Sequence, residues 1–194
     1  MKVIGLTGPI GSGKDEVAKL LRRRGAIVID ADKVAHTLYS TQSQVWRELV
    51  KVFGSKILNR GGKINRKKLG DMVFSDKTQL MKLNQIIHPY LKEAIIQILE
   101  SSKQKAVSGK QIVINAAVLK EIGLVDYVDE VWVVTASKEL RLKRLMRGGL
   151  SKEEALKRIN SQMAQKKYLA IADVVINNSG TLKQLSAKVV GNIV

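Results

Sequence analysis

The chain has 194 residues, 45% of them hydrophobic, which is enough for a globular domain with its own core. It contains no cysteine and only two histidines, His36 and His88, which excludes a disulfide framework and a thiolate metal site and argues against a histidine cluster. The net charge of +17 implies anionic partners, either nucleic acid or a polyphosphate substrate. The lysines are scattered along the chain, so we expect most of them to form a solvated surface. Aromatic residues make up only 4%, which argues against a partner that stacks nucleic-acid bases, and we expect no nucleic-acid partner.

The sequence also predicts that the chain does not enter a membrane. No apolar run approaches the length of a membrane-spanning helix. The first residues form a predicted strand of the fold and not a secretory signal. We therefore expect a cytoplasmic location, while the sequence gives no indication of the oligomeric state.

Alternating apolar segments predict an α/β fold. Residues 3–6 form the first predicted strand and residues 15–24 the first helix, which Gly25 ends. Four further short apolar runs predict strands at 26–29, 111–114, 130–134 and 174–176. Continuous apolar strands separated by helices are typical of a parallel sheet covered on both faces. We therefore predict three layers around a five-stranded parallel sheet.

A glycine-rich segment joins the first strand to the first helix. It reads Gly8-Pro9-Ile10-Gly11-Ser12-Gly13-Lys14-Asp15 and follows the G-x-x-x-x-G-K pattern of a phosphate-binding loop, or P-loop. Its glycines let main-chain N–H groups approach phosphate oxygens, and the helix N-terminus favours anions. Lys14 adds a full positive charge, so the segment predicts binding of a nucleoside triphosphate.

A helical block separates the second strand from the third. Residues 33–110 are too many for a simple crossover and carry helical periodicity, which predicts an insertion. Within it we expect a surface turn at 59–63, a new helix that starts at Pro89, and a polar loop at 101–110.

A basic segment at about 141–171 predicts a lid. Gly148-Gly149 divides it into two helices, and Ser151 with Glu154 forms a capping box at the start of the second. A hinged, basic helical pair suits a lid that covers phosphates, although an ordinary surface hairpin has the same pattern. The remaining residues, 1–32, 111–140 and 172–194, form the predicted core.

Two carboxylates follow the second predicted strand. Asp30 and Asp32 stand at its carboxyl end, the edge at which parallel sheets bind ligands. In a phosphoryl transferase one of them could accept the proton of the acceptor hydroxyl. Alternatively, Asp32 only caps the helix that follows.

Together with the P-loop, four motifs give the chain a family resemblance over nearly its whole length. They are Ile29-Asp30-Ala31-Asp32, Leu83-Asn84-Gln85-Ile86-Ile87-His88-Pro89, Arg147-Gly148-Gly149-Leu150-Ser151, and Ala172-Asp173-Val174-Val175-Ile176-Asn177-Asn178. The set resembles the dephospho-CoA kinases, which phosphorylate the ribose 3′-hydroxyl of dephospho-CoA with ATP. The resemblance implies ATP and Mg²⁺ as cofactors, and dephospho-CoA as the substrate of a CoA-binding insertion.

The resemblance also implies roles for individual residues. ATP would be held by Gly8, Gly11, Ser12, Gly13, Lys14, Asp15 and Glu16, with Asn177 and Asn178 near the adenine. Asp32 would be the general base, Arg66 and His88 would contact the substrate, and Lys14, Arg144 and Arg147 would complete the catalytic set. For His88 the alternative is that it only satisfies backbone groups at a helix junction.

The chain departs from the family pattern at Asp15, Glu16, Asn115, Ala117 and Gly148. The family has Ser or Thr at position 15 and an acidic residue at the end of the third strand. One interpretation is a paralogue that binds nucleotide but transfers poorly. The other is an exchange in which Asp15 replaces the missing carboxylate as a Mg²⁺ ligand, and intact Lys14 and Asp32 favour it.

Two further functions stay open from the sequence. One is a P-loop kinase of another nucleotide or nucleoside, which the insertion motifs disfavour. The other is a non-catalytic, nucleotide-dependent module that binds nucleic acid through its positive charge.

Overall fold

The structure is a computed structural model that describes residues 1–105 and 110–192. Its strands are β1 (Val3–Thr7), β2 (Ile27–Asp30), β3 (Ile112–Asn115), β4 (Glu130–Thr135) and β5 (Val174–Asn177). Its helices are α1 (Lys14–Arg23), α2 (Ala31–Leu38), α3 (Gln44–Phe53), α4 (Arg66–Phe74), α5 (Lys77–Lys105), α6 (Lys138–Arg147), α7 (Lys152–Asn160), α8 (Gln165–Leu169) and α9 (Leu182–Gly191). Short 3₁₀ turns occupy Ser55–Ile57 and Val125–Tyr127.

As predicted, the five strands form one parallel sheet, and their order in it is β2-β3-β1-β4-β5. All five residues of β1 and all four of β3 are buried, which explains why each strand is apolar up to its last residue. The register aligns Leu6 with Asn115 and Asp30 with the same Asn115. Consequently the polar residues that end β2 and β3 lie at one edge of the sheet.

The described chain divides into two compact units. The first contains residues 1–30 and the described residues from 98 onward, and the second contains residues 31–97. The first unit holds the sheet, whose buried cluster includes side chains of α1 (Val17, Ala18, Leu21) and of α9 (Leu185, Val189). Burying each of the larger apolar side chains contributes about 1.5–3 kcal/mol, so this cluster holds the P-loop's flanking elements in place.

The second unit is helical and overlaps the predicted insertion without matching its extent. Its core includes residues of α3 (Val45, Leu49, Phe53), α4 (Leu69, Val73) and α5 (Ile87, Leu91, Ile95). The predicted surface turn is confirmed, since the amide of Asn59 donates to the Lys63 carbonyl at 2.9 Å and Leu58 bridges to Ile64.

Two local predictions about α5 were wrong. Pro89 lies inside this helix and does not start a new one, and residues 101–105 belong to the helix and not to a loop. Proline in a helix interior costs about 3 kcal/mol. Ile87, Leu91 and Ile95 are buried on both sides of Pro89, and their burial outweighs that cost. The rest of the predicted loop, 106–109, lies outside the described residues.

The segment predicted as a lid contains the end of α6, α7 and α8. The break at Gly148-Gly149 and the capping box of Ser151 and Glu154 are confirmed, with Ser151 accepting from the Glu154 amide at 3.1 Å. Among the described residues, no helix combines the length and the apolar character needed to cross a membrane.

Candidate active site

The loop between β1 and α1 has a backbone that requires glycine at its two ends. Gly8 has φ 142°, and a Cβ there would collide with the carbonyl oxygen of Val134 on β4. Gly13 is left-handed, with φ 94° and ψ 28°, and is the residue before α1. Because glycine has no side chain to cap the helix, the first N–H groups of α1 are available to an anion.

Arg144 of α6 donates hydrogen bonds to two carbonyl groups of the loop and to one after β5. Its Nη1 donates to the carbonyls of Gly11 at 3.2 Å and Ser12 at 3.0 Å, and its Nη2 donates to the carbonyl of Asn178 at 2.8 Å. The sequence predicts a catalytic role for Arg144. These contacts show that Arg144 also supports the loop, and its catalytic role stays a prediction.

Arg141 and Gln162 also hold the loop, although neither was predicted from the sequence as a site residue. Arg141 Nε donates to the Ile10 carbonyl at 2.8 Å, and the Ile10 amide donates to Gln162 Oε1 at 2.7 Å. Burial lowers the pKa of Arg141, which nevertheless stays a cation at neutral pH. The available signal was its spacing: Arg141 precedes Arg144 by three residues and shares its helix face.

The two asparagines after β5 have different surroundings. Asn178 is buried, and its Nδ2 donates to the Ser12 carbonyl at 2.8 Å. Asn177 is exposed, and its Oδ1 accepts from the amide of Ser179 at 3.0 Å. Asn178 is therefore part of the loop's support, whereas Asn177 does not contact the loop.

The first turn of α1 carries Lys14, Asp15 and Glu16. Glu16 pairs with Lys19 at 2.7 Å on the exposed side of the helix. Asp15 Oδ1 accepts a hydrogen bond of 2.9 Å from Nδ2 of Asn115, the last residue of β3. Two of the five residues expected to depart from the family pattern, Asp15 and Asn115, therefore contact each other directly.

Unsatisfied polar atoms are found at the same place. Ser12 Oγ and Asn115 Oδ1 are buried and lack a hydrogen-bond partner within the described part of the chain. A buried polar atom without a partner is costly, so it often marks a binding site. Both atoms belong to the P-loop and the adjacent strand end, where a triphosphate or its hydration shell could pair them.

The end of β3 continues into a turn that two hydroxyl groups support. The Ala117 carbonyl accepts from Thr7 Oγ1 at 3.4 Å and from the Tyr168 hydroxyl at 3.3 Å. Burial raises the pKa of Tyr168, so this hydroxyl keeps its proton and stays a donor at neutral pH. At position 117, where the chain was expected to depart from the family pattern, both hydrogen bonds are accepted by the backbone carbonyl.

The second unit brings two of the three predicted substrate residues, Asp32 and Arg66, near the same tyrosine. Asp32 is exposed in the first turn of α2, which begins at Ala31, so it is not the N-cap residue. Arg66 Nη1 lies 3.4 Å from Nδ1 of His36 on α2. Burial raises the pKa of Tyr39, the charge of Arg66 opposes this shift and the charge of Asp32 adds to it. The charges of Asp32 and Arg66 therefore both act on the hydroxyl of Tyr39.

His88 and Arg147 occupy other positions. His88 is half-buried in the interior of α5. The helix junction at which it was expected to satisfy backbone groups is therefore absent. Arg147 is exposed at the end of α6, beside the glycine pair.

A cation at the P-loop would have few protein ligands. Across residues 1–105 and 110–192, no group of three or more His, Cys, Asp or Glu side chains could hold a metal ion. Mg²⁺ is commonly held by one or two carboxylates together with substrate phosphates and water. The carboxylate of Asp15 fits this pattern.

Comparison with known proteins identifies the family of this chain. The family model described as dephospho-CoA kinase matches residues 2–184. A dephospho-CoA kinase of Dehalococcoides mccartyi is 40% identical over 96% of this chain and 93% of its own. A crystal structure of a Thermus thermophilus protein is 31% identical, with a TM-score of 0.79 over 99% of this chain and 95% of its own. A dephospho-CoA kinase of Campylobacter jejuni is 28% identical, with a TM-score of 0.70 over 98% and 94%. This chain therefore belongs to the dephospho-CoA kinase family, a group of phosphotransferases that act on an alcohol group.

Proposed function

We propose that the chain transfers the γ-phosphoryl group of ATP to the ribose 3′-hydroxyl of dephospho-CoA. The products are ADP and CoA, and the reaction is the final step of CoA biosynthesis. The observation that carries the proposal is the uncapped N-terminus of α1 behind Gly13, with Lys14 as its first residue, in a chain of this family. Such a loop binds the phosphates of a nucleoside triphosphate.

The proposed division of labour follows the positions of the residues. Gly8, Gly11 and Gly13 shape the loop, and Lys14 neutralises charge on the transferring phosphate. Arg141, Arg144, Gln162 and Asn178 keep the loop in shape through its backbone groups. A loop that is already ordered loses little entropy when it binds phosphate, which favours positioning of the γ-phosphate.

We assign the acceptor side to the second unit. Asp32 follows the end of β2 by two residues and is exposed, as a residue that accepts a proton from a bound hydroxyl must be. Arg66 is a cation suited to a substrate phosphate, and His88 is proposed as a second contact. Arg147 is exposed and remains our candidate for a phosphate contact of the lid.

Mg²⁺ is proposed as the metal, with Asp15 as its protein ligand. Bound to ATP, the ion would supply charge neutralisation of the phosphates during transfer. The cytoplasmic location and the absence of a nucleic-acid partner stay predictions from the sequence.

An ADP-release assay tests the proposal. Dephospho-CoA, its analogue without the 3′-hydroxyl and a panel of nucleoside monophosphates are each added with ATP and Mg²⁺. We expect ADP release that depends on dephospho-CoA and a product heavier by one phosphoryl group, with neither from the 3′-deoxy analogue.

Two results would contradict the proposal. A faster reaction with a nucleoside monophosphate would favour a kinase of another acceptor. Nucleotide binding without transfer to any acceptor would favour a weakened paralogue, and the fold would then serve binding alone.

A further inference from the structure

We propose that Asp15 and Asn115 form a metal-holding pair. The carboxylate of this pair belongs to the P-loop, and the residue at the end of β3 is a neutral amide. The proposal rests on the proposed function, because it concerns the cation that accompanies ATP. P-loop proteins hold Mg²⁺ with a Ser or Thr of the loop and an Asp on a neighbouring strand. Here the loop position is Asp15 and the strand end carries Asn115, so the types are reversed.

The main evidence for the pair is the hydrogen bond between its two side chains. Asn115 Nδ2 donates to Asp15 Oδ1 at 2.9 Å, and the amide cannot be turned round without setting two oxygens against each other. Asp15 Oδ2 has no partner among residues 1–105 and 110–192 and is free to bind a cation. Asn115 thus orients the carboxylate and is a positioning residue.

The other oxygen of the pair supports the same assignment. Asn115 is only 6% exposed, and its Oδ1 lacks a partner in the described ranges. A water molecule in the hydration shell of a divalent cation would donate to this oxygen, and Mg²⁺ usually keeps several such waters. The pair therefore offers one anionic oxygen and one neutral oxygen.

The charge balance explains why only one carboxylate is present. A carboxylate next to a triphosphate is repelled unless a cation stands between them. A second carboxylate at position 115 would also face Asp15 across 2.9 Å. Replacing the strand carboxylate by an amide removes this repulsion and keeps a hydrogen bond in its place.

A simpler role for Asp15 would be favourable interaction with the N-terminus of α1. Glu139 provides a matched control, because it is an exposed carboxylate in the first turn of α6. If Asp15 interacts only with the helix dipole, Glu139→Gln and Asp15→Asn should change the melting temperature by a similar amount. Glu139→Gln should not change the affinity of the protein for a cation.

The test exchanges the two side chains and measures binding of a metal. Electron paramagnetic resonance gives the affinity of Mn²⁺ for the complex of the full chain with ADP. For Asp15→Asn we expect a loss of about tenfold or more, equivalent to about 1.4 kcal/mol. The double variant Asp15→Asn with Asn115→Asp should return to within about threefold of the natural chain, because coupled residues are non-additive.

A second double variant, Asp15→Ser with Asn115→Asp, tests the same exchange with a hydroxyl in the loop and should show the same recovery. Melting curves identify any variant that does not fold. An unchanged Mn²⁺ affinity in Asp15→Asn, or no recovery in the folded double variant, would overturn the proposal.

These measurements do not involve dephospho-CoA. If Mn²⁺ binding follows the exchange but the natural chain does not phosphorylate dephospho-CoA, the proposed substrate is wrong and the metal-holding pair stands.

Discussion

Asn115 Nδ2 lies 2.9 Å from Asp15 Oδ1 and so connects the end of β3 to the first turn of α1. The two residues are a hundred positions apart in the chain, and the sequence analysis identifies each as a departure from the expected family pattern. Their contact makes the two departures one feature of the site.

Lys14→Ala should abolish phosphoryl transfer without unfolding the chain, because Lys14 supplies the charge that neutralises the terminal phosphates. ADP release with dephospho-CoA measures the effect, and a melting curve checks the fold. Lys19→Ala is the matched control on the same helix, since its exposed pair with Glu16 contributes little to stability. Near-normal transfer by the Lys14 variant would remove the P-loop from the mechanism.

Asp32→Asn should lower the turnover number by roughly a hundredfold or more if Asp32 acts as a general base. Binding of ATP should stay nearly unchanged, which a titration with a fluorescent ATP analogue measures. If Asp32 only interacts with the N-terminus of α2, the variant should instead lose about 0.3–1 kcal/mol of unfolding free energy and keep its turnover.

Arg144→Ala should destabilise the chain by roughly 2–4 kcal/mol, because hydrogen bonds from a charged donor contribute about 1.5–3 kcal/mol each and are not additive. Three carbonyl groups lose their donor in this variant. Urea denaturation measures the loss, and weaker ATP binding should accompany it. Lys143→Ala, an exposed cation on the same helix, is the control.

The opposite result for Arg144 is equally informative. An Arg144→Ala chain that keeps its stability but loses turnover would mean that the guanidinium leaves the carbonyls to contact the phosphate. The catalytic role predicted from the sequence would then be correct.

Gly13→Ala should weaken ATP binding as well as stability. A left-handed conformation costs a residue with Cβ about 1–2 kcal/mol, and this Cβ would also collide with Nδ2 of Asn178. Gly25→Ala is the matched control, since Gly25 has φ 90° but no atom within 4 Å of the added Cβ. Both variants should lose stability because alanine is strained in the left-handed conformation, and only Gly13→Ala should disturb the loop.

Calorimetric titration with ATP distinguishes these two glycine variants. If Gly25→Ala weakened ATP binding as much as Gly13→Ala did, the contact of the loop with Asn178 would have no special role.

Local sequence determined the sheet and the loop. Each strand is a short apolar run that is read directly, and the pattern around Gly13 and Lys14 specifies a P-loop within a few residues. The capping box at Ser151 was predictable for the same reason, since its two hydrogen bonds join residues three positions apart.

Pro89 shows where a local rule was insufficient. A proline predicts a helix start, because it lacks an amide hydrogen and restricts the residue before it. Burial of Ile87, Leu91 and Ile95 stabilises a helix that continues through Pro89, and such burial depends on residues distant in the chain.

The sequence by itself determined the fold class, the P-loop and the family of this protein, because these depend on local patterns of apolar residues and glycines. Only the tertiary structure decided what Arg141, Arg144, Gln162 and Asn178 contact and that Asn115 meets Asp15. A hydrogen bond across a hundred residues has no periodicity or spacing in the sequence. It exists because the parallel order of β3 and β1 brings the end of one strand beside the helix that follows the other.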